Sequence, residues 1–468
     1  MTDDGLVAPD RFAELLAPWL GHGPAYAAVA AGVRGLVLDG RLPAGSRVPS
    51  ERTLSGALGV SRTTVSAAYD VLRAQGYLHS ASGAGTRVAL PRAASARPDA
   101  DPGEPAVVRD LTIAALAAPA QLLDAVRGAT EDLAPLLADH GLHPYGLPVL
   151  RAAIADHLTG RGLATGPQEV LVTSGALHGW NLLLRTLARP GHRVLVEQPT
   201  YPAVLDAVRA QHLRPVALPV SATGWELPPP GAVLAHVTPD GQNPTGLLAD
   251  AEQRRALLAA VDAPVVAVDE TFADLVLDGA SPPPLASLDT CSRVVTLGSM
   301  GKSFWAGLRV GWVRGAPDLL ARLAQARASL DLTSPVLDQL VAARLLAQAP
   351  VVLAERRAAM RRSREALLGA LARRLPDWRV VPPRAGLVLW VQMPAPGATR
   401  VAAHALDLGL RLAPGPRFTL DGTADRWLRL PYTFPPEEAD AVVAVLHEAR
   451  ARTLASTPTT RTPARWTA

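Results

Sequence analysis

Five short apolar runs, at residues 170–173, 193–196, 233–237, 264–268 and 293–297, alternate with stretches whose apolar residues recur at helical spacing, among them 176–187 and 250–260. No other feature narrows the fold as far. Runs of this kind form strands buried on both faces, and their repetition with helices builds a parallel sheet covered on each side. Beyond about residue 351 the pattern changes: a long arginine-rich helical stretch precedes strands near 387–391 and 427–430, which reads as a smaller α+β lobe. The expected class is α/β, with a large parallel-sheet subdomain and a small α+β subdomain.

The 468 residues leave room for at least two domains and ample core. No apolar run approaches the roughly 18 residues of a membrane span, and a start carrying Asp3 and Asp4 lacks the basic-then-apolar order of a secretion signal, so a cytoplasmic protein away from membranes is expected. A single cysteine, Cys291, excludes an internal disulfide framework and a cysteine-rich metal site, and no metal is expected. Cys291 itself reads as a partly buried thiol.

Lys302 is the only lysine among 46 basic residues. Arginine stays protonated and is a poor nucleophile, whereas a lysine with a lowered pKa offers a free amine to a carbonyl. A lysine taken at random is a solvated surface charge. Lys302, however, follows the strand 294–297 and the turn 298–301, the kind of place where α/β folds put their chemistry. It therefore points to an aldehyde cofactor. Gly301-Lys302-Ser303 also resembles the end of a phosphate-binding P-loop, but that motif needs a glycine where Thr296 stands.

Charge is concentrated at one end. Residues 21–90 carry seven arginines against three acids, and the remainder of the chain is balanced at 39 of each sign. A small basic module on a neutral body suggests a polyanion partner. Within it, residues 25–38 have helical spacing, Ser50 and Ser61 are N-cap residues for two short helices, and Gly59 separates them. Val65, Ala68, Tyr69 and Leu72 form the expected buried face of the second helix. Two short helices around a tight glycine turn describe a helix-turn-helix, whose second helix enters the major groove N-terminus first and brings Arg62, Thr63 and Thr64 to DNA. Residues 77–79 and 83–88 read as a hairpin wing, with Gly85 and Arg87 near the DNA backbone. A plain three-helix bundle with ordinary caps would share the helix pattern alone.

The segment from Ala25 to Val88 strongly resembles the winged helix-turn-helix of the GntR family of bacterial regulators, through Gly40-Arg41-Leu42-Pro43-Ala44-Gly45, Val48-Pro49-Ser50-Glu51-Arg52, Leu58-Gly59-Val60-Ser61-Arg62-Thr63-Thr64-Val65 and Gly83-Ala84-Gly85-Thr86. The resemblance implies binding to double-stranded operator DNA, with contacts from Arg47, Ser50, Arg52, Ser61, Arg62, Thr63, Thr64, Gly85 and Arg87.

Four features of the body converge on one cofactor. Ser174-Gly175-Ala176-Leu177 lies between a strand and a helix, so the N–H groups of Ala176 and Leu177 can hold a phosphate. Arg309 and Ser299 flank Lys302 and can complete that cradle. Asp269 ends the run 264–268, where a carboxylate can pair with a pyridinium nitrogen. Asn243, in Gln242-Asn243-Pro244-Thr245-Gly246, can donate to a phenolic oxygen. Taken singly these are a helix cap or a turn; jointly they describe pyridoxal 5′-phosphate.

The body resembles a fold-type I aminotransferase over roughly 111–450, through His143-Pro144-Tyr145-Gly146, Thr173-Ser174-Gly175, Glu197-Gln198-Pro199-Thr200-Tyr201-Pro202, Asn243-Pro244-Thr245-Gly246, Asp269-Glu270, Ser299 to Lys302, Arg309 and Leu428-Arg429-Leu430. The resemblance implies that Lys302 forms the internal aldimine, Asp269 meets the ring nitrogen, Asn243 meets O3′, Tyr201 stacks on the ring, and Gly175, Ala176, Leu177, Ser299 and Arg309 hold the phosphate. It further implies that Tyr145 reaches the partner subunit's phosphate in a homodimer, and that Arg429 clamps the carboxylate of a substrate or effector.

A GntR-type reader fused to such a body is similar to the MocR subfamily. The division it implies is a winged helix-turn-helix over 1–90 (core 24–90), a linker over 91–108, an aminotransferase-like domain over 109–455 and a disordered tail over 456–468. The family usually has a tyrosine shortly after the ring-binding Asp, where this chain has Thr271 and Phe272; Gly301 stands where Ser is common, and His178 where Gln is common. The O3′ contact is weakened, and multi-turnover transamination is not expected. Three readings stay open: a regulator sensing the cofactor or an amino compound, in vitamin B6, GABA or taurine metabolism; a working aminotransferase with a DNA-binding appendage; and a cofactor-free scaffold.

Overall fold

A computed structural model describes residues 7–19, 24–38, 41–81, 85–89, 109–221, 223–226 and 229–455. The linker read at 91–108, the tail at 456–468 and the wing tip at 82–84 lie outside the described residues.

The N-terminal module is built as its caps dictate. Ser50 accepts the Thr53 N–H and starts the helix Glu51–Leu58, which Gly59 ends in the left-handed region at φ 64°. Ser61 accepts the Thr64 N–H and starts the helix Arg62–Ala74. Val65, Ala68, Tyr69 and Leu72 are buried on one face of that helix, and the Tyr69 hydroxyl donates to the Pro49 carbonyl at 2.8 Å. Each fully buried aliphatic side chain contributes about 1.5–3 kcal/mol to the module's core. Strands Leu78–Ala81 and Gly85–Val88 pair antiparallel as the wing. A helix at Pro9–Leu16 was not foreseen. It buries Phe12 and Leu16, four residues apart, and packs on the helix Glu51–Leu58. Trp19 then lies against Gly32 and Gly35 of the helix Ala25–Leu38, where an added Cβ would come within 2.8 Å of Leu16 and 2.5 Å of the indole respectively. Only glycine admits the ring so close.

The body's main sheet has eight strands in the order Val170–Thr173, Gly311–Arg314, Val294–Ser299, Val266–Asp269, Leu234–Val237, Arg193–Gln198, Arg214–Ser221 and Gly224–Trp225. The five anticipated runs all appear. The expectation of a parallel sheet needs correction at two strands. Gly311–Arg314 runs antiparallel to both neighbours, and Gly224–Trp225 antiparallel to Arg214–Ser221. The reason is chain length: between Ser299 and Gly311 there is no crossover long enough to bring a strand back parallel. Helices Ala176–Leu187 and Ala251–Ala260 lie where the spacing put them, the latter capped by Asp250.

The smaller lobe is a four-stranded antiparallel sheet in the order Arg379–Val380, Val388–Gln392, Trp427–Pro431, Ala413–Pro414. It packs with helices Ala349–Arg374, Ala398–Asp407 and Ala439–Ala455 around one core. Arg109–Asp110 joins this lobe by pairing in parallel with Leu410–Arg411. Residues 111–117, hereafter the strap, then cross toward the main sheet. The module touches the small lobe through the helix Ala25–Leu38, whose Gly35 faces the Thr399 methyl, and through Arg41, whose stem lies over Gly422. Cys291, read as partly buried, is exposed, because it sits in the loop before the strand Val294–Ser299 and not in the strand. Among the described residues no single helix is long and apolar enough to cross a membrane, and no His/Cys/Asp/Glu cluster could hold a metal.

Candidate cofactor pocket and DNA-reading face

Strand ends gather the pocket. Val294–Ser299 runs beside Val266–Asp269 with Leu297 opposite Asp269, so the turn after one strand and the carboxylate ending the other share an edge of the sheet. Lys302 lies in the short helix Met300–Ser303 that follows. Its Nζ donates to the Ala114 carbonyl of the strap at 2.7 Å. Withdrawal from water is the main reason its pKa falls to about 8, the nearby Arg429 and Arg309 add to the fall, and Asp269 opposes it. An amine in that range is a competent nucleophile near neutral pH.

Asp269 accepts the Thr271 N–H through Oδ1 at 2.9 Å, and its Oδ2 stands 3.9 Å from Nε2 of His236. His236 is buried on the next strand, edge-on to Trp180 with ring centroids 4.8 Å apart. Burial pushes its imidazole pKa down, against the pull of Asp269. Residue-type reasoning missed His236; a histidine inside the apolar run 233–237 was the available signal. Phe272 is buried beside Gly386 and brings no hydroxyl to this edge.

Gly175, Ser299 and Arg309 converge. Gly175 has φ 115°, a backbone conformation that only glycine adopts without strain, and a Cβ there would come within 3.6 Å of Arg309 Nη2 and 3.9 Å of Ser299 Oγ. Arg309 is held in the left-handed region at φ 52° and donates to the Ser174 carbonyl at 2.6 Å. Ser299 caps the lysine helix by accepting the Gly301 N–H at 3.1 Å. Ala176 is buried and Leu177 exposed at the start of the helix they open. His178 accepts the Ser174 N–H through Nδ1 at 3.1 Å, and burial depresses its pKa.

Two loops flank this cradle. Tyr201 precedes the helix Pro202–Ala210 and is 40% exposed, so a ring face stays open to a ligand. The buried Oδ1 of Asn243 has no hydrogen-bond partner among the described residues. Arg429 is buried on the small-lobe strand, donates to the Thr112 carbonyl of the strap, and lies over the Phe418 ring at 5.1 Å. Burial lowers its pKa to about 10. Tyr145 lies apart, half-buried, with the Arg151 guanidinium 5.6 Å from its ring. The strap carbonyls of Thr112 and Ala114 belong to the pocket but were invisible to residue-type reasoning, since every residue has one. A glycine-lined cradle with a serine and an arginine, a nucleophilic lysine and a carboxylate at a strand end fit pyridoxal 5′-phosphate group by group.

In the module, Arg47, Ser50, Arg52, Arg62 and Gly85 line one cleft of about 570 Å³. Gly85, at φ 77°, lies directly under the Arg47 guanidinium, where a Cβ would sit 2.7 Å from Nε. Ser61, Arg62 and Thr63 are exposed at the start of the reading helix, and the Ser61 hydroxyl also bonds the hydroxyls of Thr63 and Thr64 at 2.8 and 2.7 Å. Arg87 Nη1 donates to the Gly45 carbonyl at 2.9 Å, fastening the wing to the loop before the strand pair.

Residues 115–446 match the family described as aminotransferase class I and II, and residues 25–88 match bacterial regulatory proteins of the gntR family. The uncharacterized HTH-type transcriptional regulator YisV of Bacillus subtilis is 28% identical over 85% of this chain and 90% of its own length. The probable rhizopine catabolism regulatory protein MocR of Rhizobium meliloti is 32% identical over 61% of this chain and 64% of its own. The pyridoxine biosynthesis regulator PdxR of Corynebacterium glutamicum is 32% identical over 63% and 65%. Among solved structures, the α-aminoadipate aminotransferase LysN of Thermus thermophilus superposes with a TM-score of 0.67 at 28% identity, covering 74% of this chain and 93% of that one. With a gntR-type reader ahead of an aminotransferase class I and II body, the chain belongs to the MocR subfamily, DNA-binding transcriptional regulators whose body binds pyridoxal 5′-phosphate.

Proposed function

We propose that the body senses an amino compound at Lys302 and Arg429 and passes the change to the reader through the strap. One observation carries this reading: the lysine amine and the Arg429 guanidinium both end on carbonyls of a single seven-residue segment, Ala114 and Thr112, and that segment continues in sequence into the connection to the reader. Pyridoxal 5′-phosphate supplies an electrophilic carbon that can exchange the lysine amine for a ligand amine. Arg429 binds the ligand carboxylate and gives up the Thr112 carbonyl to do so. Asp269 pairs with the ring nitrogen, Asn243 with the ring oxygen and Tyr201 with the ring face. Gly175, Ala176, Leu177, Ser299 and Arg309 hold the phosphate. A ligand shifts DNA binding only by favouring one arrangement of strap and reader over another.

A second copy of the chain completes the regulator. Leu123, Leu137, Leu142, Val149, Leu332 and Val351, all within residues 121–149 and 330–351, are more than 45% exposed. An apolar area of that kind is covered in a homodimer, which would also bring Tyr145 to the partner's phosphate. The reader acts on chromosomal DNA, which puts the protein in the cytoplasm. Vitamin B6 metabolism is one candidate target, in keeping with the name of PdxR; GABA and taurine metabolism are the others.

The test measures cofactor absorbance and operator binding in the same sample while amines and amino acids are titrated. The compound sought changes both, and loses its effect on both in Arg429→Gln if its carboxylate is the handle. Sustained keto-acid release from an amino donor would favour a working aminotransferase. Absence of any cofactor band after incubation with pyridoxal 5′-phosphate would sink the sensor reading.

A further inference from the structure

Glu197, on the strand Arg193–Gln198, is fully buried and touches no cation among the described residues. A carboxylate in that position is costly unless each oxygen is hydrogen-bonded, and here each is. Oε1 accepts the Trp225 indole N–H and the Thr238 N–H, both at 2.8 Å, and Oε2 accepts from Gln242 Nε2 at 3.1 Å. Gln242 extends the network in two directions. Its Nε2 also donates to the Pro199 carbonyl at 2.7 Å, and its Oε1 accepts the Thr245 N–H at 3.0 Å and the Thr245 hydroxyl at 2.7 Å.

The two loops so joined are not arbitrary. Pro199 stands two residues before Tyr201, whereas Gln242 and Thr245 bracket Asn243. The strands behind them, Arg193–Gln198 and Leu234–Val237, pair with Val196 opposite His236, and Leu234–Val237 in turn pairs with the strand of Asp269, so Glu197 sits two strands over from Asp269. The Pro199 carbonyl and the Thr245 donors orient the Gln242 amide with its nitrogen toward position 197, and the Glu197 carboxylate accepts from that nitrogen as well. An amide at 197 that keeps its own oxygen on Trp225 and Thr238 turns an N–H toward that nitrogen, and pushes the Gln242 side chain, with both loops attached, off its place.

We infer that Glu197, through Gln242, is a positioning residue that sets the Tyr201 loop and the Asn243 loop at a fixed separation across the cofactor ring. The inference rests on the proposed roles of Tyr201 and Asn243. Burial pushes the Glu197 carboxyl up to about 7, held from rising further by its hydrogen bonds to Thr238, Gln242 and Trp225.

The experiment uses the full chain, measuring pyridoxal 5′-phosphate affinity and the wavelength of the bound-cofactor band in four variants. Glu197→Gln sets an amide N–H against the Gln242 N–H, and is expected to weaken cofactor binding about tenfold and shift the band. The exchange Glu197→Gln with Gln242→Glu restores the donor–acceptor pair between 197 and 242 but leaves the Pro199 carbonyl facing an oxygen, and is expected to recover part of that loss. Trp225→Phe removes one donor to Glu197 without touching either loop, and is expected to stay within twofold of the parent. Asn243→Ala separates the two levels of argument: no change in the band there would refute the assigned role of Asn243, whatever Glu197 does. If Glu197→Gln keeps the parent affinity and band, or if Trp225→Phe is as damaging and the exchange recovers nothing, Glu197 is a structural group only and the inference is overturned.

Discussion

Covalent capture of the cofactor gives the sharpest test, through its dependence on pH. With a pKa of about 8, Lys302 is free amine in roughly one molecule in ten at pH 7, whereas an ordinary lysine near 10.5 is free in roughly one in 3,000. Burial supplies most of the difference, and Arg429 and Arg309 add to it against the opposing Asp269. Stopped-flow absorbance after mixing the cofactor-free chain with pyridoxal 5′-phosphate follows the reaction directly. From pH 7 to 9 the second-order rate constant should rise about tenfold and then level off, since the amine is then almost wholly deprotonated. An unperturbed lysine would give a rise of about a hundredfold without a plateau. Arg429→Gln removes one of the depressing cations and should move the midpoint upward. A rate that climbs through pH 9 without levelling, or a midpoint that ignores Arg429, would refute the account of how the amine is activated. Folding carries the same signature: the folded chain binds fewer protons at Lys302 between pH 8 and 10.5, so this group's contribution to stability rises with pH across that window.

Arg62→Ala should weaken operator binding by about 1–3 kcal/mol, roughly 5- to 150-fold in fluorescence anisotropy, while the cofactor band is untouched. Gly175→Ala forces a side chain into φ 115° and should cost about 1–3 kcal/mol in thermal unfolding of the body, with a parallel loss of cofactor affinity. Leu72→Ala empties a fully buried site in the reader, and about 2–5 kcal/mol of destabilisation should abolish operator binding without altering the cofactor spectrum. Cys291, exposed and the chain's single thiol, should react with one equivalent of a thiol reagent in the folded state.

Features set by local chemistry were legible in the residues. Ser50, Gly59 and Ser61 announce helix ends through groups two or three positions away, and the structure has them as caps and stop. Lys302, Asp269 and Gly175 were legible because each occupies a strand end that periodicity could locate. What escaped was set by distant partners. The antiparallel course of Gly311–Arg314 depends on how the chain returns after the lysine turn, and its Trp312 fits only because Gly298 opposite has no side chain. The strap's grip on Lys302 and Arg429 is made by backbone carbonyls, which residue identity does not mark. The helix Pro9–Leu16 did leave a trace, Phe12 and Leu16 at i,i+4, in a stretch too short to stand out.

Two bare patches decide how freely such a chain can trade parts. Thr399 rests on the reader's helix Ala25–Leu38 because residue 35 has no side chain, and Arg41 spans residue 422 because that position too is a glycine. A recombinant that splices this reader onto a foreign enzyme loses both seats at once, and any bulky replacement at either glycine pries the halves apart. Successful shuffling is therefore confined to donors that keep a hollow at both places, and the reader and the lobe beneath it are expected to be inherited as one piece.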